Sequence, residues 1–260
     1  MIKFILSISV VILLGIYSIP NAIVCFFITD KEKIKRYNYS LVCFVFKIVL
    51  FIDGVKITSY GIENLKKMND EKSIFIISNH RGYFDILTGY VTLNRMCAIV
   101  AKNSLKKIPV LSYWMKKINC MFLDRDDLRS GMQMILDSIK LIENGISVWI
   151  FPEGTRNKNE IPHDLLEFKQ GLFKIPQKTD CYILPLAILN SENVFEKHIP
   201  LIKSTNVYIN IGKAYKISEL SEENKQNIAE YSRNIMKDLL IEMERKVKWW
   251  LKIMKKRIFL

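Results

Sequence analysis

The sequence predicts an α/β fold, a central sheet flanked by helices, behind an N-terminal membrane-embedded helical hairpin. Three observations point there. Short runs rich in β-branched residues alternate with helical patterns from Ser73 onward. Their apolar residues run continuously more often than they alternate, as expected for strands covered on both faces. Ahead of them, Phe4 to Thr29 contains no charged residue. The 260 residues suit one domain with an anchor, and 50% apolar against 25% charged residues excludes a disordered or linker chain.

A helix of the 26 residues from Phe4 to Thr29 is about 39 Å long, against about 30 Å for a bilayer core. A secretory signal peptide competes with this reading, but the stretch is too long and no small-residue cleavage site ends it. Pro20 removes a backbone donor and should kink or break the helix. Leu41 to Ile52 is a second apolar run, interrupted only by Lys47. It is too short to cross a bilayer but suited to lying in one face, so the two segments predict a hairpin in one leaflet. Soluble core helices are the competing reading. Lys31, Lys33, Lys35 and Arg36 between the runs, against Lys3 alone before them, place the remainder of the chain in the cytoplasm, on an inner membrane. The expected division is 1–56 anchor, 57–220 α/β domain and 221–260 basic amphipathic helix.

Within the domain, strands are expected over residues 73–78, 97–101, 120–123, 147–151, 182–188 and 207–211. Met132, Ile135, Leu136, Ile139 and Ile142 recur at helical spacing, and Asn144-Gly145 makes a stop, which predicts a crossover helix. One long helix should close the chain from about residue 221. The cysteines, Cys25, Cys43, Cys97, Cys120 and Cys181, are odd in number and scattered without a CxxC pair, which fits small hydrophobes in a reduced compartment.

Thirty-nine Lys and Arg against 26 Asp and Glu give a net charge of +13. Lys102, Lys106, Lys107, Lys116 and Lys117 form one basic patch. The tail after Glu244 forms another, interleaved with Trp249, Trp250, Leu251, Ile253 and Met254. Beside an apolar N-terminus, such patches favour an anionic lipid surface over nucleic acid.

Three constellations carry chemistry. His80, one of only three histidines with His163 and His198, follows an apolar strand, where ligands usually bind in an α/β sheet. If the turn folds back, Asp85 accepts from its ring and leaves the other nitrogen free as a base; a structural turn explains the pair as well. In Phe151-Pro152-Glu153-Gly154-Thr155-Arg156, Gly154 permits close backbone approach, Thr155 donates, and Arg156 offers a fork for phosphate oxygens. A surface turn with a solvated Arg is the alternative. Arg125, ending the strand before Asp126 and Asp127, suits either an anion clamp or a surface ion pair. The scattered histidines offer no metal-ligand spacing.

The joint order of these blocks resembles the glycerolipid acyltransferase family, particularly its bacterial lysophosphatidate acyltransferases. The NHxxxxD block stands as Asn79 to Asp85, the second as Ile118 to Arg125 and the third as Phe151 to Arg156. Ile183 to Ile188 resembles the fourth, and Lys169-Gln170-Gly171 the family's Lys-x-Gly turn. The likeness spans about residues 60–215. It implies a mixed sheet of the glycerol-phosphate acyltransferase type and acyl transfer from acyl-CoA or acyl carrier protein to the sn-2 hydroxyl of lysophosphatidate, with no cofactor or metal. His80 would be the general base and Asp85 its orienting partner. Arg125, Arg156 and Lys102 would bind phosphate in a pocket shaped by Glu153, Gly154 and Thr155, supported by Asn79, Lys169 and Gly171. Another lyso-lipid, glycerol 3-phosphate, or a non-catalytic membrane role are the alternatives. Three departures stand out: Lys102-Asn103-Ser104-Leu105 lacks the family's Glu, Asn119 replaces a usual glycine, and Ser112 stands where glycine often follows Pro109.

Overall fold

Strand pairing is set by apolar runs that cannot face water on either side. In the computed structural model, β2 (Phe75–Ser78), β5 (Ser147–Ile150) and β6 (Ile183–Leu189) are buried at every position. They form the centre of a seven-stranded sheet with β1 (Lys56–Tyr60), β3 (Cys97–Lys102), β4 (Met121–Leu123) and β7 (Asn206–Ile211), in the order β1-β7-β6-β2-β5-β3-β4. The five strands from β6 to β4 run parallel, while β7 is antiparallel to β6 and parallel to β1, so the sheet is mixed. The structure describes residues 1–69, 71 and 73–258, with side chains to Trp249.

One face of the sheet is covered by α2 (Lys31–Asp53), α4 (Phe84–Leu93) and α5 (Pro109–Lys117), around Tyr39, Tyr90, Trp114 and Trp149. The other is covered by α6 (Leu128–Glu143), α7 (Lys174–Thr179) and α9 (Ile228–Ile258), around Met134, Phe173, Ile175 and Met236. The expected crossover helix is α6, started by Asp127, whose side chain accepts from the Arg129 amide at 2.9 Å. Short helices α3 (Ile62–Lys66) and α8 (Glu222–Gln226) complete the set.

α1 (Ile2–Phe27) pairs with α2 as the expected hairpin, with two differences. First, α1 continues through Pro20 unbroken. The turn beyond the proline is held from the side, because buried Asn21 donates to Asn38 Oδ1 at 3.0 Å and accepts from Tyr113 Oη at 2.8 Å. Second, α2 buries Val42, Cys43, Val49 and Leu50, so the second apolar run is mostly a core helix, with Phe44, Lys47 and Phe51 facing outward. α1 docks through Ser18, which accepts from Trp114 Nε1 at 2.9 Å. Its other side leaves Ile5, Ile12, Leu13, Ile16 and Phe26 exposed. With a mean hydropathy of 2.3 over its best window, α1 is long and apolar enough to cross a membrane.

The predicted closing helix is split at Asn227 into α8 and α9. The first half of α9 is a core element, burying Ile228, Met236, Leu240 and Met243 at about 1.5–3 kcal/mol each. The aromatic and apolar tail residues Trp250, Leu251, Ile253 and Met254 have side chains outside the described residues. Asn119 has φ +59°, a left-handed conformation that glycine enters freely and asparagine tolerates. That accounts for its standing where a glycine is usual.

Candidate active site

Because β2 to β6 are parallel, the residues following each strand gather on one edge of the sheet. Asn79 fixes where the chain leaves β2. Its side chain is fully buried and completes the ladder to β6, donating to Ile188 O and accepting from Ile188 N, both at 2.8 Å. His80 therefore emerges at the edge.

The turn does fold back. His80 Nδ1 lies 2.8 Å from Asp85 Oδ2, and that oxygen also accepts from the amides of Arg81 at 2.7 Å and Gly82 at 2.8 Å. An oxygen that already accepts from two amides offers the ring a lone pair, so Nδ1 donates and Nε2 keeps its own lone pair. Nε2 has no hydrogen-bond partner among the described residues, and the His80 side chain is 13% exposed. The ring stacks on Phe151 at 4.2 Å between centroids.

The Phe151–Arg156 turn interlocks with this loop. Glu153 is buried and turned inward. One oxygen accepts from the His80 amide at 3.0 Å, and the other from Asn157 Nδ2 at 2.9 Å and the Leu166 amide at 3.0 Å. It clamps three segments together, with both carboxylate oxygens taken up by protein donors. Burial raises its carboxyl above the usual range, against the pull of these donors. Gly154 has φ +70°, a left-handed conformation that favours glycine, and the Lys169 side chain packs over it, with its Cε 2.6 Å from where a methyl group would lie. The Lys169 amide closes the turn by donating to Pro152 O at 3.0 Å. Thr155 is exposed. Gly171 is the second residue of a short 3-10 turn, Gln170–Phe173, and nothing nearby explains a glycine there.

Arg156 lies 4.4 Å over the Tyr83 ring and 3.7 Å from Glu196. Arg125, two residues past β4, is held below its ordinary pKa by burial and then by the neighbouring Arg156 charge. Two guanidinium groups thus share one region, and Arg125 has no ion pair among the described residues. Lys102 ends β3 opposite Leu123, and it is exposed on the same edge. His163 sits elsewhere, 3.1 Å from Glu244 of α9.

Several residues of the site carry no motif. Buried Arg81 has its Nε 3.0 Å from Glu192 Oε1 and donates through Nη2 to Asn159 O at 2.8 Å. Ser191 donates to Asp85 Oδ1, and Glu196 accepts from the Tyr83 amide at 2.5 Å. Asn157 joins the two loops, its amide donating to His80 O at 2.7 Å. The only sequence signal for the β6 group was its place directly after a parallel strand.

Comparison with known proteins follows the same residues. Positions 56–189 match the Acyltransferase family. The 1-acyl-sn-glycerol-3-phosphate acyltransferase of Borreliella burgdorferi is 32% identical over 199 residues, which cover 76% of this chain and 77% of that protein. The enzyme of that name from Saccharomyces cerevisiae is 28% identical over 233 residues, covering 88% and 73%. The crystal structure of the 1-acyl-sn-glycerophosphate acyltransferase PlsC from Thermotoga maritima superposes with a TM-score of 0.74 over 93% of this chain and 97% of that one. At 20% identity, that likeness attests the fold. A match across more than half of the chain, holding His80, Asp85 and the whole Phe151–Arg156 turn, together with a bacterial relative this similar, places the chain in the Acyltransferase family as an O-acyltransferase.

Proposed function

We propose that this protein transfers an acyl group from acyl-CoA or acyl carrier protein to the sn-2 hydroxyl of lysophosphatidate, forming phosphatidate for phospholipid synthesis. The observation that carries this reading is a histidine with an unengaged ring nitrogen on the same sheet edge as two neighbouring arginines, of which, among the described residues, only Arg156 meets a carboxylate. The acceptor's hydroxyl oxygen attacks the thioester carbonyl while His80 Nε2 takes its proton. Collapse of the tetrahedral intermediate breaks the C–S bond, and the imidazolium returns the proton to the departing sulfur. The acceptor alcohol is itself the nucleophile, so the chemistry draws on no metal or cofactor. Positioned base catalysis contributes about 10²- to 10⁴-fold.

Arg125 and Arg156 bind the acceptor phosphate, with Lys102 on the same edge. A dianion there relieves the repulsion between the two guanidinium groups. The exposed apolar side of α1 and the lysines near Lys102 support work at an anionic lipid surface, on the cytoplasmic face of an inner membrane. The two-tailed product then passes into lipid without crossing water.

The test is Arg156→Ala, assayed with each substrate varied in turn. Loss of a charge-assisted contact raises the lysophosphatidate KM about 10- to 100-fold and leaves the thioester KM unchanged. Equal changes in both refute the phosphate assignment.

A further inference from the structure

The Asp85 carboxylate is fully buried and uses its two oxygens differently. Oδ2 gathers the His80 ring and the amides of Arg81 and Gly82. Oδ1 receives one donor among the described residues, the hydroxyl of Ser191, whose side chain is also fully buried. The sheet fixes this contact across 106 residues of sequence, because β6 is in register with β2, Ser78 opposite Leu186, and Asn79 pins Ile188. The chain then turns at Asn190, with φ +76°, and delivers Ser191 beneath Asp85. Glu192 and Glu196 of the same segment engage Arg81 and the Tyr83 amide, so this connection grips three residues of the catalytic loop.

We infer that Ser191 is a positioning residue for acyl transfer, acting on His80 through Asp85. The inference rests on the reading of His80 as the base. With Oδ1 held, the carboxylate cannot turn about its Cβ–Cγ bond, and Oδ2 stays in the plane that receives Nδ1–H. Without the hydroxyl, Oδ1 is a buried acceptor with no donor. The carboxylate then turns toward other donors, and the imidazole loses its fixed direction. The Ser191 hydroxyl is spent on Asp85 and bonds to neither Arg125 nor Arg156; Glu196 of the same segment, which meets Arg156, is left in place by the substitution, so substrate binding is untouched.

The test is a double-mutant cycle on the full-length, membrane-bound protein, with lysophosphatidate and palmitoyl-CoA, or palmitoyl carrier protein if that is the donor used. Ser191→Ala lowers kcat about tenfold with both KM values within about twofold of the unmutated enzyme. Ser191→Cys, of similar size with a weaker donor, falls between. In an Asp85→Ala background the serine substitution changes kcat by less than about twofold, because its effect has no carrier. Unchanged kcat in Ser191→Ala, or the same tenfold loss in the Asp85→Ala background, overturns the inference. If Ser191→Ala lacks a cooperative melting transition, Ser191→Cys decides, and wild-type kcat in that variant overturns it. His80→Ala is run alongside. Full activity there refutes the base itself, whereas a silent His80→Ala with an unaffected Ser191→Ala refutes the serine's role alone.

Discussion

Replacing Asp85 by Asn removes one charge from the site and almost nothing else. The amide has the carboxylate's shape, and its carbonyl oxygen can accept the bonds now made by Oδ2 from the His80 ring and two loop amides. Its NH2 then faces Ser191, whose hydroxyl can accept as readily as donate. The fold should hold. What disappears is the attraction between the carboxylate and the imidazolium formed as the proton moves to Nε2. With charge centres about 4 Å apart and an effective dielectric of about 20, that attraction is about 4 kcal/mol, or about 10³-fold in rate. The ring's 13% exposure admits some screening, so the expected loss of kcat is about 10²- to 10³-fold. Both KM values should remain, because the Asp85 carboxylate is buried and makes no bond to either arginine of the pair. The assay is steady-state acyl transfer in lipid vesicles, with thermal melting to confirm folding. A kcat within about threefold of wild type, or a raised KM at constant kcat, would refute the assignment of Asp85 as the partner of a catalytic base.

Glu196 gives a pH prediction. Burial raises its carboxyl, so the folded state binds a proton more readily than the unfolded one, and this group's contribution to stability falls as pH rises through its folded pKa. Glu196→Gln should therefore gain in Tm relative to wild type as pH goes from about 5 to about 7.5; a gap that ignores pH contradicts this. The same substitution removes a carboxylate that competes for Arg156 and should lower the lysophosphatidate KM a few-fold, read from initial rates. Gly89→Ala should destabilise the protein by about 1–3 kcal/mol, because an added methyl overlaps the buried Trp149 ring. An unchanged denaturation midpoint would show that Trp149 can move aside.

The His80–Asp85 pair was legible because it is local: the two residues are five apart, and a single tight turn brings them together. Six of the seven strands were legible from their apolar runs. β1 was not, since Lys56, Thr58 and Ser59 dilute its pattern at the sheet edge, and its partner strand lies 150 residues further on, Lys56 opposite Asn206. Glu153 sits in the expected turn, but the sequence could not say that its carboxylate would be consumed by the His80 and Leu166 amides. Ser191, Glu192 and Glu196 were invisible for a related reason. A polar loop after a strand looks solvated until the register of β6 against β2 sets it beneath the loop that holds Asp85. Pro20 shows the same limit, because the lateral bonds of Asn21 that keep α1 in line come from α2 and α5.

The decisive measurement of His80 as the base is phosphatidate formation from lysophosphatidate and an acyl thioester, comparing the purified vesicle-bound protein with His80→Ala. Product is expected from the unmutated protein, with a loss of at least about 10²-fold in a folded, lipid-bound His80→Ala. Equal phosphatidate from both proteins, or none from the unmutated protein with either thioester donor, would contradict this expectation.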